Sequence, residues 1–97
     1  MYSVETIIEQ QAFNKLKLQK IKTSENLDIL SISLEKGAVF PEHTSPRDAY
    51  LIMLEGEIQF HIKNEVYTLT QQQHLNFNKE ESHWVEASEN SKFLIIR

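Results

Sequence analysis

The chain has 97 residues, 40% apolar and 25% charged, with fourteen acids against ten bases for a net charge of −4. That is one domain's worth of chain with room for one modest core, and its mild negative charge argues against nucleic acid as a partner. The absence of cysteine excludes disulfide scaffolds, thiolate metal sites and cysteine nucleophiles.

The opening stretch, MYSVETIIEQQ, has no basic region and no long apolar run, so a signal peptide is not expected. No stretch approaches the ~20 apolar residues of a membrane helix. A cytoplasmic protein without a membrane partner is therefore expected. Val4, Ile7, Ile8 and Ala12 have the spacing of a short amphipathic helix over residues 4–12. Lys15-Leu16-Lys17-Leu18 alternates and then slips at Ile21, which predicts a strand with a bulge near Gln19-Lys20. Ser24-Glu25-Asn26 reads as a turn. Leu30, Ile32 and Leu34 mark one face of the next strand, ending at Lys36-Gly37.

Residues 39–48 read as loop, because Pro41 and Pro46 interrupt ladder bonding. Residues 49–54 are apolar on both faces, so a strand there must be covered on both sides. Ile58, Phe60 and Ile62 alternate with Gln59, His61 and Lys63 in a half-buried strand. A hairpin turn is expected at Asn64-Glu65, with a return over residues 66–70. Leu75 with Phe77, His83-Trp84-Val85 and residues 93–96 complete seven or eight short strands. Such spacing is that of an all-β sandwich or barrel.

The segment from Gly37 to Gly56 resembles the first motif of the cupins, G-x5-H-x-H-x3-E-x6-G. Gly37, His43 and Gly56 keep their places, while Ser45 and Ala49 stand where the second histidine and the glutamate belong. The second motif, G-x5-P-x-G-x2-H, laid over residues 72–83, keeps only His83. Gln72, Asn78 and Glu80 replace its glycine, proline and glycine. The resemblance covers about residues 27–97, leaving residues 1–26 as a helix and strand extension of a single domain spanning 1–97. It implies a small antiparallel β-barrel or jelly roll of the RmlC-like cupin kind, with a short N-terminal helix.

In that family three histidines and a glutamate hold a divalent metal inside the barrel. The H-x-H spacing suits an extended segment, where alternate side chains share a face. By the resemblance, His43 and His83 are the two ligands that remain. Metal sites commonly use three or four protein ligands, so the leading expectation is no cofactor. The alternative is a divalent transition metal (Zn, Ni, Mn or Fe) on His43 and His83, completed by Asp48, Glu42 or water. Asp48 is one residue off the glutamate position, and a one-residue slip turns a strand side chain to the other face.

The leading functional expectation is a pocket for a small organic molecule, lined by Phe40, His43, Ser45, Leu51, Met53, Phe60, Phe77 and His83. A mostly apolar lining with a few convergent polar groups suits such a ligand. Three alternatives stand beside it. One is a metal enzyme of the oxygenase, isomerase or decarboxylase type. Another is a metal-free acid–base enzyme of the sugar-epimerase type, with a histidine base and Tyr50 or Tyr67 as acid. The last is a regulatory dimer with a vestigial pocket.

Bland roles are expected elsewhere. His61 should face solvent, His74 should lie in a polar loop, and Trp84 should serve core or interface. Glu80, Glu81, Glu86 and Glu89 read as solvated surface, and Lys15, Lys17, Lys20 and Lys22 as an edge kept from aggregating. If Ala49, Leu51 and Met53 point inward, then Tyr50, Ile52 and Leu54 point outward and need a cover. A homodimer through the N-terminal strands and this outward face is expected, since small cupins are commonly dimers and two-fold pairs are the commonest assembly.

Overall fold

The two-residue alternation becomes two packed antiparallel sheets. The computed structural model describes all 97 residues. It holds one helical turn, α1 (Ile7–Gln10), and nine strands: β1 (Leu16–Thr23), β2 (Asp28–Leu34), β3 (Val39–His43), β4 (Ala49–Glu55), β5 (Glu57–Ile62), β6 (Glu65–Thr70), β7 (His74–Phe77), β8 (His83–Ala87) and β9 (Ser91–Ile96). One sheet has the order β1-β2-β9-β4-β7, the other β3-β8-β5-β6. The fold is all-β, as expected, with a short N-terminal helical turn.

Alternate side chains of β2, β4, β5, β8 and β9 enter one core between the sheets. Leu30, Ile32 and Leu34 enter from β2, and Ala49, Leu51 and Met53 from β4. Ile58 and Phe60 enter from β5, Val85 and Ala87 from β8, and Phe93 and Ile95 from β9. Each large side chain buried there contributes about 1.5–3 kcal/mol. The doubly apolar β4 divides as parity requires: Tyr50 is exposed, and Ile52 and Leu54 are half-buried on the outer face.

Several local readings need correction. Residues 39–48 are not all loop, because Val39–His43 forms β3. Pro41 is tolerated there because β3 is an edge strand and its pairing with β8 shifts between Phe40 and His43. The β5–β6 hairpin turns at Lys63-Asn64, one residue earlier than expected, with φ of 50° and 62° and Ile62 opposite Glu65. That is the backbone of a two-residue primed turn, which Asn tolerates well. The slip expected in β1 at Ile21 is borne out, with the register shifting between Lys20 and Lys22.

The helix expected over residues 4–12 shrinks to four residues without a side-chain cap. Its apolar stripe fails because Val4 and Ile7 are exposed. Polar bonds hold the segment to the sheet instead. Gln11 Nε2 donates to the carbonyls of Ser31 (3.1 Å) and Lys17 (3.0 Å), while Ser31 Oγ donates to Gln11 Oε1 (2.5 Å). Ser33 Oγ donates to the Ala12 carbonyl, and Lys92 Nζ to those of Ile8 and Glu9. The segment thus buries Ser31, Ser33 and Lys92 on the outer face of the five-stranded sheet.

Candidate functional site

A cavity of about 260 Å³ opens between the sheets. Strands β2, β4 and β9 line one wall with Leu30, Ile32, Leu51, Phe93 and Ile95. The facing wall carries Phe40 and His43 of β3, Phe60 of β5, and His83 and Val85 of β8. Phe77, Leu18, Arg97 and the segment Thr44-Ser45-Pro46 complete the lining. Of the eight residues expected there, seven line the cavity. Met53 is buried on the same face of β4 as Leu51 and lies outside the lining. Leu18, Leu30, Ile32, Thr44, Pro46, Val85, Phe93, Ile95 and Arg97 were missed. The parity of β2 and β9 carries a signal for some of these, but nothing local in the sequence marks Arg97.

His43 and His83 are partners across the β3–β8 ladder. Their ring centroids lie 4.3 Å apart at 62°. His43 stacks on Phe40 at 4.2 Å, and His83 packs against Phe77 at 4.5 Å and Phe60 at 5.4 Å. Each ring is held by a carbonyl two residues earlier: His43 Nδ1 donates to Pro41 (2.7 Å), and His83 Nδ1 to Glu81 (2.9 Å). A carbonyl only accepts, so Nδ1 carries the proton in both rings and each neutral ring keeps its Nε2 lone pair uncommitted. Burial pushes the His83 imidazole below its ordinary pKa. The Glu81 carbonyl opposes this shift, and the nearby His43 charge adds to it.

The donor set does not fit a full divalent-metal centre. No three His, Cys, Asp or Glu side chains converge anywhere in the molecule. Asp48 Oδ1 accepts the Lys79 amide (2.9 Å), and Glu42 lines a separate outer cleft. Ser45 Oγ donates to the Arg47 carbonyl (2.6 Å) and accepts the Arg47 amide. Ala49, at the carboxylate position, offers no donor. The acid–base arrangement also fails to assemble, since neither Tyr50 nor Tyr67 lines the cavity.

His61 is not fully solvent-facing. It is half-buried on the outer face of the four-stranded sheet, stacked on Trp84 at 3.7 Å and 6°, with Nε2 3.4 Å from Glu86 Oε2. His74 starts β7 rather than sitting in a loop.

The family model described as Cupin domain matches residues 30–96. No curated protein matches the chain. Several solved structures share the fold. A conserved protein of unknown function from Streptococcus pyogenes aligns with TM-score 0.86 and 22% identity, covering 99% of this chain and 86% of that one. A cupin superfamily protein from Desulfitobacterium hafniense aligns at 0.86 and 16%, covering 99% and 90%. An RmlC-like cupin from Desulfovibrio desulfuricans aligns at 0.85 and 22%, covering 99% and 95%. Identities this low speak for the fold and leave the activity to the site.

Proposed function

The chain belongs to the cupin domain family, and from that premise we propose that its interior cavity binds a small organic molecule without a complete metal centre. The observation that carries this reading is the lining itself. Apolar and aromatic walls surround two imidazoles whose Nε2 atoms are free, while the other family ligand positions hold Ser45 and Ala49. Such a site orients a ligand by a few hydrogen bonds and holds it by burial.

No helix is long and apolar enough to cross a membrane. The partner we propose is a second copy of the chain. Tyr50 is 52% exposed beside half-buried Ile52 and Leu54, and Met1, Tyr2 and Val4 stand fully exposed. A two-fold pair would cover these surfaces.

The test is elemental analysis of untagged protein purified without chelator, followed by a fragment screen by ligand-observed NMR. The expected result is no stoichiometric transition metal and several fragments displaced by one another from one site. About one metal per chain, lost in His43→Ala and His83→Ala, would replace this reading with the metal-enzyme one.

A further inference from the structure

The polar side chains that line the cavity are few, and most are engaged or cannot accept. Ser45 Oγ spends its proton on the Arg47 carbonyl and accepts the Arg47 amide. Thr44 is open to water, and the Arg97 guanidinium can only donate. The side-chain acceptors left for a buried ligand are the two imidazole Nε2 atoms, because both Nδ1 protons go to backbone carbonyls.

The two imidazoles differ in setting. His43 is part-exposed on the edge strand β3, within reach of water. His83 is only 3% exposed and packs against Phe77 and Phe60. Its Nε2 has no hydrogen-bond partner, yet the one unpartnered side-chain nitrogen or oxygen sealed from solvent in this molecule is His61 Nε2. The small accessible area of His83 therefore includes Nε2, and the open space that His83 lines is the cavity. A ligand that fills the cavity takes the place of water at this nitrogen. The lone pair then meets a donor on the ligand or loses its hydrogen bond, and a site of that kind rejects the analogue that lacks the donor.

We infer, resting on the binding reading above, that His83 is the specificity-determining residue of the cavity. It selects an apolar molecule that carries an O–H or N–H donor over the same molecule with that donor capped. The Glu81 carbonyl positions the ring for this by holding the proton on Nδ1.

The test uses the full chain and two pairs of isomers, one member of each with a free donor and the other with the donor methylated. The pairs are para-cresol with anisole and 3-methylindole with 1-methylindole, and toluene is the reference without any donor. In NMR or calorimetric titrations each donor-bearing isomer is expected to bind about tenfold tighter than its capped partner. His83→Phe should erase that preference, and His43→Phe should keep it. If His83→Phe does not fold, the imidazole nitrogen spectrum of the native chain decides the same point. The His83 Nε2 resonance should be that of an unprotonated nitrogen and should shift with para-cresol and not with anisole. Equal binding of the isomers, a protonated Nε2 on His83, or a preference that survives His83→Phe overturns the inference and leaves the pocket reading standing. Failure of every probe, toluene included, brings down the pocket reading and the inference with it.

Discussion

His43 and His83 face each other across one rung of the β3–β8 ladder, and each ring is locked by the carbonyl two residues before it. The lock fixes the same tautomer twice and points two basic nitrogens away from the backbone that holds them. The pairing places one ring on an edge strand and the other in the core, so the two histidines should differ sharply when removed.

His43→Ala is expected to cost about 1 kcal/mol or less in urea unfolding, because the ring is part-exposed on an edge strand. Phe60→Ala, which empties the wall beneath His83, should cost about 3–5 kcal/mol. Collapse of the fold in His43→Ala would make that ring a core element rather than a pocket residue.

The pH dependence follows from burial of His83. Its folded pKa lies below the ordinary 6.5, so the unfolded ring takes a proton first as pH falls. Stability should therefore be full above about 6.5, decline below it, and level off once the folded ring is protonated. An NMR titration should place the His83 midpoint below that of the unfolded chain. A midpoint above 6.5 would contradict the assignment.

The two glycines should respond unequally to alanine. Both have positive φ, 85° at Gly37 and 90° at Gly56. A Cβ at Gly37 meets nothing within 4 Å, so Gly37→Ala should cost about 1 kcal/mol from backbone strain alone. At Gly56, where the chain crosses from β4 to β5, a Cβ would collide with Asn90 O, Ser91 Oγ and Ser91 Cα. Gly56→Ala should cost about 3 kcal/mol or more, read as the gap between the two melting curves.

Gln11→Ala should destabilise the protein by about 1–3 kcal/mol, although Gln11 belongs to no regular element. Its amide bridges Lys17 and Ser31 carbonyls and accepts the buried Ser31 hydroxyl, all of which lose a partner. Hydrogen exchange around Ser31, midway along β2, is the direct readout.

Light scattering is expected to report a dimer for the native chain and a monomer for Ile52→Arg, with unchanged circular dichroism. A native monomer at micromolar concentration would remove the second copy from the picture.

The β pattern could be read from the sequence because strand parity is a local property, and the resemblance to the cupin motifs singled out His43 and His83. The strand period assigns Leu51 and Phe60 to the inside without any knowledge of the partner strand. Three things depended on the tertiary structure. Pro41 could join a strand only because β3 is an edge with a shifted register, and edge position belongs to the sheet, not to the segment. The N-terminal stretch was kept from a full helix by bonds to Ser31, Ser33 and Lys92, distant residues that outweigh a weak local preference. Arg97 came to line the cavity because β9 pairs with β2 and sets Arg97 opposite Asp28. Which side chains share a cavity is decided by how sheets stack and pair, and that geometry is written in no single stretch of the chain.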